Sequence, residues 1–117
     1  MTNGAWFLAL ACTAALGASG GANAQAQLTP AQYKSVMSSP MIARGDYPKL
    51  ASKHKALAAC IDWSKSSGDK VHVGPSASFG GDELAEAKAE AMKNCQGLEK
   101  DFSCKCQIVD VDGKPAQ

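Results

Sequence analysis

Residues 82–95 read DELAEAKAEAMKNC, and this stretch predicts the main helix of the protein. Asp82 suits the N-cap position, and the acidic residues that follow favour the positive end of the helix dipole. Apolar side chains recur at the spacing i, i+3, i+7, i+8 and i+11, which places them on one helical face. These are Leu84, Ala87, Ala91, Met92 and Cys95. Gly97 is the predicted stop.

Three segments around this helix predict β-strands. Residues 54–63 alternate, with Leu57, Ala59 and Ile61 on one face and Ala58 and Cys60 on the other. A Ser-Ser-Gly-Asp turn leads into a short second strand at residues 70–74, which predicts a hairpin. Residues 75–81 are rich in Gly and Ser and are predicted as a loop. Residues 104–111 carry β-branched side chains in alternation and predict the third strand.

A second helix is predicted near the N-terminus. Thr29 suits the N-cap, Pro30 suits the first helical position, and Gln32 completes a capping box. Residues 40–52, which contain two prolines and a glycine, are predicted mostly as loop. The order helix, strand, strand, helix, strand predicts an α+β fold: a small three-stranded sheet, antiparallel or mixed, with one main helix packed on it.

Residues 1–24 predict a secretory signal peptide, although Met1 to Gly4 contain no Lys or Arg. Residues 5–18 are apolar and uncharged, and Ala-Asn-Ala at 22–24 matches a cleavage site. The run is shorter than the roughly 20 residues that span a bilayer. Cys12 follows a small residue, so lipidation there stays open. We expect a periplasmic or secreted protein with no stable membrane insertion.

The remainder divides into an N-terminal helix and loop at residues 25–53 and a small α+β domain at residues 54–114. The chain has 117 residues, and its 12 Lys+Arg against 11 Asp+Glu give a net charge of +1. Binding to nucleic acid through phosphate charge needs a clustered basic face, so no nucleic-acid partner is expected. Five lysines within residues 49–70 are interpreted as a solvated face, with weak binding to an anionic surface as the alternative.

Four cysteines remain after the predicted cleavage: Cys60, Cys95, Cys104 and Cys106. In an oxidising compartment an even number predicts a disulfide framework. A bond between Cys104 and Cys106 would close a strained ring. Two connectivities stay open: Cys95–Cys104 with Cys60–Cys106, or Cys95–Cys106 with Cys60–Cys104. The loop-entropy model gives the two bonds about 2.7 and about 4 kcal/mol.

Short motifs in the second half of the chain follow a recognisable order. KALA stands at residues 55–58, a glycine-containing loop follows, EAKAEAMKNC stands at residues 86–95, and the last strand begins at Cys104. This order resembles a family of small secreted bacterial domains of unknown function, with the pattern KALA, glycine-rich turn, EAxxxALxxC and C-terminal Cys strand. The resemblance covers about residues 54–114, with Met92 in place of Leu.

The resemblance implies that the cysteine ending the helix and the cysteine starting the strand are structural partners. It therefore favours Cys95–Cys104, with Cys60 and Cys106 as an additional pair. It implies no catalytic residues.

A soft-metal site is the alternative use of Cys104 and Cys106, because two thiolates spaced i, i+2 on a strand face one way and suit Cu(I). The residues that could assist are Met37, Met41, His54 and His72. Exported thiols generally oxidise, which favours disulfides. Both histidines are expected to be solvent-exposed. The Asp-Val-Asp-Gly sequence at residues 110–113 lacks the later oxygen ligands of a calcium loop and is predicted as a turn.

No pairing of a nucleophile with a base is evident along the chain. We therefore expect an exported, non-catalytic domain without a cofactor, which acts as a binding or interaction module for an unknown protein or small molecule. The alternative function is a periplasmic copper-binding protein that uses Cys104 and Cys106.

Overall fold

The computed structural model describes residues 27–116, in which a β-sheet lies between the main helix and an N-terminal segment. The helices are α1 (Pro30–Met37), α2 (Pro40–Ala43) and α3 (Leu84–Glu99), and 3₁₀ turns occupy Tyr47–Lys49 and Trp63–Lys65. The strands are β1 (His54–Ile61), β2 (Val73–Gly81), β3 (Lys105–Val111) and β4 (Lys114–Pro115). The predicted signal peptide at residues 1–24, with Cys12, lies outside the described residues.

The sheet has the order β2-β1-β3-β4, and every neighbouring pair is antiparallel. The predicted α+β class is confirmed, but the predicted three strands are one too few. The fourth strand follows the predicted turn, where Asp112 and Gly113 adopt φ values of 55° and 85°. It has only two residues, Lys114 and Pro115, and a strand of that length has no periodicity to detect.

β1 is one of the two inner strands, and both of its faces are covered. Ala56, Ala58 and Cys60 pack in one cluster with α3. The alternate residues, Leu57, Ala59 and Ile61, pack in a second cluster with the N-terminal segment. The predicted alternation is confirmed, although the strand ends at Ile61 rather than at residue 63 because the next residue caps a 3₁₀ turn.

β2 corrects the prediction for residues 70–81. The expected strand at residues 70–74 and loop at 75–81 are wrong, because the strand runs over Val73–Gly81. An edge strand tolerates the missing N–H of Pro75. Close packing demands the small residues: a Cβ on Gly74 would lie 3.2 Å from Cys104 Sγ, and one on Gly80 would lie 2.3 Å from Ser52 Oγ. The glycines that suggested a loop at residues 75–81 are therefore explained by close packing around the strand.

α3 is longer than predicted. It begins at Leu84 with Glu83 as N-cap and continues through Gly97 to Glu99, so Asp82 as cap and Gly97 as stop are wrong. A glycine inside a helix costs only about 1 kcal/mol of helix stability relative to alanine. This cost is small enough for the helix to continue past Gly97 for two more residues. The buried face consists of Ala87, Ala91 and Cys95, all within the predicted stripe. Small side chains on this face bring the helix close to the sheet.

The N-terminal segment covers the other face of the sheet. The predicted capping box is present: the Gln32 amide donates to Thr29 Oγ1 at 3.1 Å, and the Thr29 amide donates to Gln32 Oε1 at 3.0 Å. Val36, Ile42 and Tyr47 are buried against the sheet. Residues 27–50 therefore share a hydrophobic cluster with β1 and β3.

Two disulfide bonds fix the α3 side, and their pairing corrects the one that the resemblance favoured. Cys60 bonds to Cys104, and Cys95 bonds to Cys106, with Cα–Cα distances of 5.2 and 6.0 Å. Cys95–Cys104 is therefore wrong, and the second connectivity is the observed one. The helix bonds to β3 through Cys106, which leaves Cys60 for Cys104, the residue just before β3.

Candidate functional site

Two connecting segments meet at one end of the sheet and expose large aromatic side chains. We call this surface the loop end and define it as residues 62–72 and 100–104. Ile61 pairs with Lys105, so the segment leaving β1 and the segment entering β3 start side by side. Trp63 is 37% exposed and Phe102 is 57% exposed. Exposed aromatic side chains are enriched in protein interfaces.

The buried side chain of Asp62 connects the two segments of the loop end through hydrogen bonds. The residue is only 4% exposed. Its Oδ1 accepts hydrogen bonds from the backbone N–H and the hydroxyl of Ser64, and its Oδ2 accepts one from Ser103 Oγ at 2.6 Å. Ser64 follows Trp63 and Ser103 follows Phe102. One carboxylate thereby fixes the backbone beside both exposed aromatic residues.

The Asp62 carboxyl is held in its ionised form. The hydrogen bond from Ser103, followed by that from the Ser64 hydroxyl, lowers its pKa from 3.8 to about 2, and desolvation opposes this shift. Lys65 Nζ adds a positive charge 3.9 Å from Oδ2. A carboxylate with this pKa is a weak base, so its chemistry suits positioning rather than proton transfer.

The Cys60–Cys104 disulfide lies directly below the loop end. Cys60 is fully buried and Cys104 is 5% exposed. The bond joins the penultimate residue of β1 to the residue before β3, and the two segments depart from these points. Disulfide and carboxylate together anchor both loops on the sheet, an arrangement that reduces the ordering cost of binding.

A cleft of about 50 Å³ opens between the two loops. Lys65, His72, Phe102 and Ser103 are among its lining residues. Such a volume holds only a few water molecules, so the site suits a partner that covers the surface better than a ligand that enters it. His72 is exposed, as expected. The lysines of the surrounding chain are Lys65, Lys70, Lys100 and Lys105, against the exposed acids Asp69 and Asp101.

A second polar cluster lies on the face of β3 that the N-terminal segment covers. Asp110 is fully buried and accepts hydrogen bonds from the hydroxyls of Tyr33 and Tyr47 and, at 2.9 Å, from the Gly113 amide. Burial raises the pKa of both tyrosines, and the hydrogen bonds to Asp110 raise it further. This cluster fastens the N-terminal segment to the sheet, and its members are in neither aromatic loop.

His54 corrects the expectation of a solvent-exposed histidine. Its side chain is 30% exposed, and Nδ1 lies 3.0 Å from Asp112 Oδ2. That contact, with the Lys55 amide as a further donor, holds the pKa of the Asp112 carboxyl below its ordinary value. The turn at Asp112 and Gly113 is therefore fastened to the start of β1, whereas the first two residues of the predicted turn belong to β3.

The residues of the predicted soft-metal site are not brought together as ligands. The sulfurs of Cys104 and Cys106 are bonded to different cysteines. Within residues 27–116 no group of three or more His, Cys, Asp or Glu side chains is placed to hold a metal ion. The copper alternative stays a prediction that requires reduction of both disulfides.

The sequence patterns do not identify Asp62, Ser64 and Ser103 as site residues, and they place Trp63 in a strand. The Asp-Trp-Ser sequence contains a local signal, because an aspartate two residues before a serine favours an Asx turn. Nothing in the sequence signals Ser103, which lies 41 residues away from Asp62.

Comparison with protein-family models, curated proteins and solved structures finds no match to this chain. In the described part of the chain, no helix has the length and apolar character needed to cross a bilayer.

Proposed function

We propose that this protein is an exported, non-catalytic interaction module that binds a protein partner through the loop end. The observation that carries the proposal is the exposure of Trp63 and Phe102 above a buried carboxylate that fixes both loops. Tryptophan is among the residues most enriched at binding hot spots, and prior ordering of loops reduces the entropy lost on association.

Export is supported by the signal-peptide pattern of residues 1–24 and is consistent with two disulfide bonds, which form in oxidising compartments. The periplasm or the exterior of the cell is therefore the proposed location. The partner is proposed to present acidic side chains, because residues 62–72 and 100–105 carry four lysines against three aspartates, and one of these, Asp62, is buried. Rim charges of this kind accelerate association more than they strengthen it.

A non-catalytic role is supported by the protonation chemistry of the loop end. The hydroxyls of Ser64 and Ser103 both donate to Asp62. Activation of a serine requires an adjacent base with a pKa near the working pH, and the pKa of Asp62 is about 2. The serines therefore serve to hold the carboxylate.

Site-specific photocrosslinking tests this proposal in cells that export the full chain. A photoreactive phenylalanine analogue at position 102 is expected to give one adduct of discrete mass, whereas the same analogue at exposed Lys88 on α3 is expected to give none. The captured protein is then purified separately. Its affinity for the disulfide-intact chain is expected to fall at least tenfold with Trp63→Ala and to be unchanged with Lys88→Ala.

Equal adducts at both positions, or equal affinities of both alanine variants, would overturn the loop end as the binding surface. A chain that retains residues 1–24 and stays in the cytoplasm would overturn export. Intact mass of the cell fractions separates the two outcomes.

A further inference from the structure

A groove of about 190 Å³ lies on the face of β2 that points away from α3. Its floor contains Leu57 and two serines, Ser76 and Ser78. The serines are two residues apart on β2 and therefore lie on the same face of the strand. Ile42 and Tyr47 are buried residues of its wall. Met41, which is 62% exposed, and Asp46 stand at the rim. The N-terminal segment covers β1 and β3 but leaves this part of the sheet uncovered.

The same strand forms an edge of the sheet. β2 is first in the strand order, and among the described residues it pairs only with β1. An edge strand presents N–H and C=O groups that can pair with a further extended chain. Pro75 has no N–H to donate, and Gly80 packs against Ser52. Residues 76–79 are therefore the part of the edge that suits added pairing.

The size and charge of the groove indicate what enters it. Pockets for drug-sized ligands generally measure about 300–1,000 Å³, so 190 Å³ suits one long side chain. Of the described residues that line the groove, Asp46 alone is charged. Met41, which is 62% exposed, offers apolar surface for an aliphatic stem, and Asp46 offers a carboxylate for a cationic end. Lysine and arginine combine those two properties.

We propose that β2 binds an extended polypeptide segment as an added strand and that the groove receives one lysine or arginine side chain of that segment. Strand addition derives affinity from main-chain hydrogen bonds and specificity from pockets for alternate side chains. This site shares no lining residue with the loop end. It therefore stands whether or not the loop end binds a partner.

Amide NMR spectra of the disulfide-intact protein test the proposal with short blocked peptides. The probe is acetyl-Thr-Val-Lys-Val-Thr-amide, and its counterparts carry Glu in place of Lys or N-methyl groups on alternate amides. The Lys peptide is expected to shift the signals of residues 76–79 and of Asp46 with saturation. The N-methylated peptide is expected to cause no shift, because it cannot complete the ladder of hydrogen bonds.

Two matched variants separate charge from shape. Asp46→Asn is expected to weaken binding of the Lys peptide by about 1.4- to fivefold, the range of an exposed ion pair, and Asp69→Asn on the loop end is expected to have no effect. Ser78→Phe, which fills the groove, is expected to abolish binding.

Three results would overturn the proposal. The first is the absence of saturable shifts at residues 76–79. The second is equal binding of the Glu and Lys peptides. The third is a shift of the β2 signals with protein concentration alone, which would show that a second copy of the chain pairs with the edge.

Discussion

The hydroxyl of Ser103 donates a 2.6 Å hydrogen bond to the carboxylate of Asp62, and this contact joins two loops that are 41 residues apart. A buried carboxylate that receives several donors is stabilised in its charged form. It is costly when protonated or removed, because the donors around it lose their partner. The organisation of the loop end therefore depends on the ionisation of one residue.

Acid should loosen this end of the molecule over a defined pH range. Because the pKa of Asp62 falls from 3.8 to about 2 on folding, its stabilisation is present above pH 3.8 and is lost as the pH falls towards 2. Urea unfolding followed by circular dichroism at pH 5, 4, 3 and 2 measures this. We expect the unfolding free energy of the wild type to fall over that range more than that of Asp62→Asn.

The variant comparison is needed because Asp112 also has a lowered pKa and adds a decline of the same sign. Asp69→Asn, an exposed residue of the same loop, should follow the wild-type curve. Identical pH dependence in wild type and Asp62→Asn would show that the carboxylate does not organise the loop end.

The tyrosine contacts of Asp110 should contribute measurably to stability. Hydrogen bonds to a charged group contribute about 1.5–3 kcal/mol, and loss of a donor leaves the buried carboxylate under-satisfied. Tyr47 is buried and Tyr33 is half-buried, so we expect Tyr47→Phe to lower the unfolding free energy by about 2 kcal/mol and Tyr33→Phe by less. Urea denaturation at pH 7 measures both.

Asp110→Asn supplies the control for this pair. The effect of Tyr47→Phe should be smaller in the Asp110→Asn background, because the donor then faces a neutral amide. If Tyr47→Phe and Tyr33→Phe both lie within about 0.5 kcal/mol of wild type, the cluster does not fasten the N-terminal segment.

The same cluster predicts resistance to alkali. Tyr33 and Tyr47 are the two tyrosines of the chain, and burial followed by the hydrogen bond to Asp110 raises both pKa values above 10.0. Their stabilisation is therefore complete below pH 10 and is lost as the pH rises above it. Phenolate absorbance near 295 nm should appear only together with loss of the circular dichroism signal.

Urea-unfolded protein provides the reference titration, with a midpoint near the ordinary tyrosine value of about 10. A native protein that titrates with that same midpoint while its circular dichroism is unchanged would contradict the hydrogen-bonded cluster.

The elements with strong periodicity were predictable from the sequence, whereas contacts across the chain were not. β1 and α3 carry their burial pattern in consecutive residues, so alternation and helical spacing identify them. β2 does not carry such a pattern. Its glycines, Gly74 and Gly80, lie where a side chain would collide with Cys104 and Ser52, which are distant in sequence. A local pattern holds no information about a neighbour that the fold brings from elsewhere.

The same reason explains the missed polar clusters. Asp110 lies 77 residues from Tyr33 and 63 residues from Tyr47 along the chain. Partners so far apart form no recognisable sequence motif. The capping box at Thr29 was predictable because its two partners are three residues apart. Disulfide pairing belongs with the long-range contacts, since it depends on where α3 places Cys95 over the sheet.

Tryptic mapping decides that pairing directly, because Lys105 separates Cys104 from Cys106. The protein, purified without reductant, is alkylated without reduction and digested. We expect residues 56–65 linked to residues 101–105, and residues 94–100 linked to residues 106–117, in which the Lys-Pro bond resists trypsin. The reduced digest should lose both linked species. A link between residues 56–65 and 106–117 would instead support Cys60–Cys106, and α3 would then have to lie closer to the start of β3 to bring Cys95 to Cys104.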